Sequence, residues 1–145
     1  MKSSLRSARS IGKSGNEEVR VALDTNRLTD LFQGDQDLAD RLSRCDEVCL
    51  PLIVLAEIKA GFYGGSQQPR NEGLLRSFLA KPTVRILMPE RETAEQYARL
   101  FVQLKRAGTP IPDNDLWIAA LVLEHDLQLI SRDQHFERVP QLLSS

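Results

Sequence analysis

Four acidic side chains, Asp24, Glu57, Asp115 and Asp133, stand where a carboxylate could do chemistry. Asp24 ends the β-rich run Val19-Arg20-Val21-Ala22-Leu23, and Asp133 follows the apolar run Leu127–Ile130 through Ser131 and Arg132. Glu57 lies inside the apolar stretch LIVLAEIKAGF. An unpaired ionised carboxylate is costly there, and Lys59, two residues on, would not share its helix face. Asp115 falls in the first turn of a second apolar stretch, DLWIAALVLEH. Each acid also has an ordinary structural role open to it. Asp24 could cap a helix, Glu57 could face outwards, Asp115 could complement a helix dipole (a job Asp113 could share), and Asp133 could sit in a strand-end turn.

Together the acids point to a hard cation. Carboxylates sharing a site push one another's pKa values up unless a counter-charge intervenes. Mg²⁺ or Mn²⁺ takes oxygen ligands of this kind and supports hydrolysis of a phosphodiester by a metal-activated water. No Cys/His pairing suggests zinc: the two histidines, His125 and His135, read as surface or packing residues, and Cys45 and Cys49 as reduced residues in or near the core. Arg27, Lys59 and Arg132 neighbour the acids in sequence and could steer phosphates. Gly12-Lys13-Ser14 is not a phosphate loop, because Ser7 stands where its first glycine is needed.

The acids need elements to carry them. Strands are expected over Val19–Leu23, Glu47–Leu50, Val84–Leu87 and Leu127–Ile130. Helical spacing appears at Leu28, Leu31 and Phe32; at Leu38 and Leu42; from Pro51 to Gly61; and at Leu74, Leu75, Phe78 and Leu79. It recurs from Ala94 to Lys105, closed by Gly108, and over Leu116–Glu124, capped by Asp113 or Asn114. Residues 66–72 read as a polar loop. Strands alternating with helices predict an α/β domain with a mostly parallel sheet, in which ligands bind beyond the carboxyl ends of the strands. Asp24 and Asp133 are at two such ends.

The 145 residues suit one domain, expected over 19–145, behind a flexible tail at 1–18 that is rich in Ser, Gly and charge. Net charge is −1, unevenly spread: residues 1–20 carry five basic and two acidic side chains, the remainder 14 and 18. This balance neither requires nor excludes a nucleic-acid partner. No apolar run approaches the ~20 residues of a membrane span, and no secretory h-region follows the basic start, so a cytoplasmic location is expected.

VALDTN, the Glu of LAEI, IPDNDLWIAA and LISRDQHF, in that order, resemble the PIN-domain ribonucleases and, within them, the VapC-type toxins of toxin–antitoxin pairs. The resemblance spans Val19 to Leu143; the tail is longer than is usual in that group. It implies a three-layer α/β/α sandwich with a small, mostly parallel sheet. It also implies an Mg²⁺- or Mn²⁺-dependent endoribonuclease, the toxin of a type II pair, that forms a homodimer and is restrained by a small antitoxin. Asp24, Glu57, Asp115 and Asp133 match the family's acidic quartet, and Thr25, Asn26, Asn114 and Ser131 match positions that support it. Asp113 is ambiguous, either a cap or a further ligand. Surfaces for a dimer or antitoxin would be what α-helical segments Leu74–Leu79 and Ala94–Lys105 leave exposed, and Phe62 and Tyr63 would lie near the site mouth. Two rival readings are a non-catalytic binding module and an aspartate-based phosphotransfer protein. The latter is weakened by Asn26, where the phosphatase pattern wants a second Asp.

Overall fold

The computed structural model describes residues 18–143, so the expected tail lies outside the described residues except for Glu18. Val21, Ala22 and Leu23 are wholly buried, as a continuous apolar run must be when both faces of a parallel sheet are covered. They form β1 (Arg20–Leu23), which is flanked by β2 (Glu47–Pro51) and β4 (Gln128–Ile130). With β3 (Val84–Leu87) outside β2, the order is β3-β2-β1-β4, and every pairing is parallel.

Among the described residues seven α-helices connect and cover this sheet, completing the expected three-layer arrangement. They are α1 (Thr25–Phe32), α2 (Gln36–Ser43), α3 (Leu52–Gly64), α4 (Gln68–Leu79), α5 (Arg91–Ala107), α6 (Asp113–Glu124) and α7 (Pro140–Leu143). A 3₁₀ turn over Gln134–Arg138 precedes α7. None of these helices is long and apolar enough to cross a membrane.

Most expected elements appear within a residue or two, and the differences have local causes. Pro51 closes β2, paired in register with Leu87, and α3 starts at Leu52. The polar segment 66–72 is largely helix: α4 begins at Gln68 with Pro69 in its first turn, where a missing N–H costs nothing. Neither Asp113 nor Asn114 caps α6. Pro112 occupies the cap in extended conformation and puts Asp113 and Asp115 inside the first turn. Asp126, at φ 53°, turns the chain so that the Leu127 N–H reaches back to Val122, and β4 starts one residue later than expected. Gly108 ends α5 in the left-handed conformation, φ 72°.

Helix α6 is buried on nearly every side, from Leu116 through Ile118–Val122, and is the internal beam that fixes Asp115. Leu121 is 0% exposed. Replacing it with Ala removes packed methyl groups and leaves a cavity, so Leu121→Ala is expected to cost about 2–5 kcal/mol in urea unfolding.

Candidate active site

The sheet reverses its winding beside β1. The chain steps outward from β1 to β2 to β3 and then returns to β1's other edge as β4. A crevice opens beyond the strand ends at such a switch point. Leu23 pairs with Ile130 in register, so Asp24 and Ser131 leave the sheet side by side. The Ser131 hydroxyl donates to Asp24 Oδ2 and accepts the Asp133 backbone N–H at 3.0 Å. Asp24 also caps α1, its Oδ1 accepting the Arg27 N–H at 3.0 Å. Its capping role and its place in the acidic cluster therefore coexist.

Asp133 caps the 3₁₀ turn by accepting the His135 N–H at 2.9 Å. The turn brings His135 Nδ1 to 3.0 Å from Asp115 Oδ2 and 3.1 Å from Asp133 Oδ1. An ionised carboxylate only accepts, so a proton carried on Nδ1 would be shared between the two acids. One oxygen each from Asp115 and Asp133 and a His135 ring nitrogen all lie within 4.8 Å of one another. His135 is at the surface as expected, its side chain 41% exposed, and it also touches two of the acids. Nothing in its charged sequence neighbourhood reveals the contact, which depends on how the 3₁₀ turn folds over α6. His125 does pack, with Nε2 3.6 Å from Glu124 Oε1.

Glu57 reaches the cluster from α3. Its Oε1 accepts the Thr25 hydroxyl at 2.5 Å and its Oε2 the Asn114 amide at 3.1 Å. Thr25 and Asn114 adjoin Asp24 and Asp115 in sequence, so Glu57 is held from both sides of the crevice. Asn26 is not drawn in: at the second position of α1 its side chain is exposed and lines the adjoining open cleft. Asp113 is also outside the cluster, accepting instead from the Tyr97 hydroxyl, whose ring stacks on Trp117 at 4.3 Å.

Arg27, Lys59 and Arg132, expected to steer phosphates, are committed to other acids. Arg27 and Arg132 both hold Asp30, at 3.0 Å and, through two nitrogens, at 2.9 and 3.0 Å; Lys59 holds Glu72 at 3.0 Å. The Arg132 bonds hold the Asp30 carboxyl below its usual range. Asp30 is a residue that sequence reading missed, since its partner is 102 positions away.

The site is short of positive charge. Asp24 is 4% exposed, and burial raises its carboxyl above the ordinary 3.8; the charge of Asp133 adds to the rise, while the bonds from Ser131 and the Arg27 N–H oppose it. Burial likewise raises Asp115, with Asp133 and Glu57 adding and His135 opposing. Converging hard oxygen donors that repel one another fit a small divalent cation.

A family model described as PIN domain matches residues 21–142. The chain belongs to the PIN domain family. This PIN domain is similar to Ribonuclease VapC1 of Haemophilus influenzae strain R2866, with 30% identity over 125 residues, 83% of the chain and 92% of the relative. Among solved structures it resembles VapBC-1 from nontypeable Haemophilus influenzae, with TM-score 0.75, 27% identity and coverage of 86% and 95%. It also resembles VapBC-5 from Mycobacterium tuberculosis, a member of the VapBC family of toxin–antitoxin systems, with TM-score 0.64, 27% identity and coverage of 82% and 89%. The family likeness carried by four short motifs thus extends through the whole PIN domain.

Proposed function

We propose that this PIN domain is an Mg²⁺- or Mn²⁺-dependent endoribonuclease and the toxin of a type II toxin–antitoxin pair. The observation that carries the reading is the convergence of Asp24, Asp115, Asp133 and Glu57 at the β1/β4 switch point, two of them with carboxyls raised by burial. The ribonuclease VapC name of its relatives and the toxin–antitoxin system of a structural neighbour support it.

Asp24, Glu57, Asp115 and Asp133 are the residues that would hold the ion. When bound, such an ion acidifies water and stabilises charge building on a phosphodiester. The chain's own part is to aim these oxygens. Thr25 and Asn114 fix Glu57, Ser131 links Asp24 to Asp133, and His135 spans Asp115 and Asp133. On the outer surface, Phe101 and Val102 of α5, 48% and 42% exposed, offer apolar area for a second copy or an antitoxin.

The test is cleavage of RNA by the purified protein with Mn²⁺ or Mg²⁺ beside an EDTA control. Cleavage that persists unchanged in EDTA would end the metal-dependent reading. Ser131→Ala, which removes an orienting hydroxyl and no carboxylate, is expected to weaken Mn²⁺ binding by about 10–100-fold, as measured by titration calorimetry.

A further inference from the structure

The acidic site has two unlike flanks. On one side the crevice widens into an open cleft of about 830 Å³ lined by Asn26, Arg132, His135 and Arg138 among others. On the other, Thr25 and Glu57 form one end of a narrower groove of about 380 Å³, which runs between α1 and α3 to the start of α4. Its volume falls within the range of small-ligand sites.

The groove has an apolar floor and a polar rim. Phe32, Ile58 and Phe62 make the floor, the two rings 6.4 Å apart. Gln33, Gln67 and Asn71 stand at the rim with Arg70. Among the described residues no hydrogen bond or ion pair engages the Gln67, Arg70 or Asn71 side chain. Arg70 therefore differs from Arg27, Lys59 and Arg132, which are all bound to carboxylates.

We propose that this groove receives and reads the nucleobase beside the scissile phosphate, with Arg70 taking a neighbouring phosphate; this rests on the ribonuclease reading. The groove ends on Glu57, so a polymer cut at the carboxylates must send its next unit into it or past it. An unstacked base needs an apolar floor and edge partners that both donate and accept, and amide side chains do both. The guanidinium supplies the charge that a backbone phosphate requires. Gln67 and Asn71 are then specificity-determining residues, and Arg70 is a sequence-independent anchor.

The experiment is fluorescence anisotropy with labelled 12-nucleotide RNAs differing at one central base, using Asp24→Asn protein in EDTA so that nothing is cleaved. Arg70→Ala should weaken every RNA about tenfold and lower the slope of affinity against salt by about one. Gln67→Ala combined with Asn71→Ala should flatten the differences between bases. Gly61→Leu should fill the groove and weaken binding, since a Cβ at Gly61 meets nothing within 4 Å and the helix need not move. RNA affinities and base preferences that survive all these changes overturn the proposal, as does a groove that captures a protein partner while RNA binding is untouched by Gly61→Leu. Absence of RNA binding by the parent protein overturns it too. Failure of the wild type to cleave RNA that it binds would remove the ribonuclease reading and leave the groove to be judged by these affinities.

Discussion

Asp115→Asn is expected to lower Mn²⁺-dependent RNA cleavage by at least about 100-fold, with the thermal unfolding curve still cooperative. The substitution keeps the shape of the side chain, and the amide oxygen can still accept from His135 Nδ1, which lies 3.0 Å from the carboxylate now. What it removes is one negative charge from the middle of the cluster, where Asp133 and Glu57 already act on Asp115. Asp113→Asn is the matched control. It changes the same kind of group two residues away, but Asp113 is exposed and held by Tyr97, so cleavage should stay near the wild-type rate. Initial rates on one RNA at saturating Mn²⁺ decide the matter. Equal losses in the two variants would mean that first-turn charge on α6, and not membership of the cluster, sets activity.

That contrast also marks how far sequence could go. Period and composition located every strand, because Val21–Leu23 is a short apolar run stopped by turn formers and Val84-Arg85-Ile86-Leu87 is a β-rich segment between Pro82 and Pro89. The acids were legible for a related reason: a strand end and an apolar helix are places where a carboxylate has to be explained. Asp113 and Asp115 looked alike in sequence because the same helix turn carries both. Two residues apart they do not share a helix face, and Asp113 is turned to the Tyr97 hydroxyl of α5, whose ring stacks on Trp117. His135 and Arg70 were invisible for a different reason. One is brought in by a 3₁₀ turn, and the other sits in a segment read as loop that folds as the start of α4. Arg27 and Arg132 share the partner Asp30, the first from the same helix and the second from 102 positions away. The Arg27 pair is an i,i+3 contact that helical spacing allows, whereas no local pattern records the Arg132 pair.

The cluster's shortage of positive charge has a thermodynamic signature of its own. Without divalent ions, Asp24→Asn should unfold at a higher temperature than the wild type at pH 7, and with saturating Mn²⁺ the order should reverse. Burial first, and then the charge of Asp133, raises the folded carboxyl of Asp24 above its ordinary value of 3.8. The folded state therefore holds that proton more tightly than the unfolded chain does, and stability falls as pH rises through the interval between the two pKa values. The destabilisation is absent well below 3.8 and grows as pH rises above it. Asn lacks it at every pH and can still accept the Arg27 N–H at the cap. The gap between variant and wild type should thus close as the ion-free proteins are melted at progressively lower pH. A cation restores the wild type's advantage because it binds the folded state alone, contributing about 2.7 kcal/mol at a hundredfold excess over its dissociation constant. The variant, lacking one ligand, gains less. Scanning calorimetry of both proteins, in EDTA and in Mn²⁺, reads the crossing directly. A wild type that is already the more stable in EDTA would show that hydrogen bonds from Ser131 and Arg27 outweigh the burial of Asp24, and that the acids are settled without an ion.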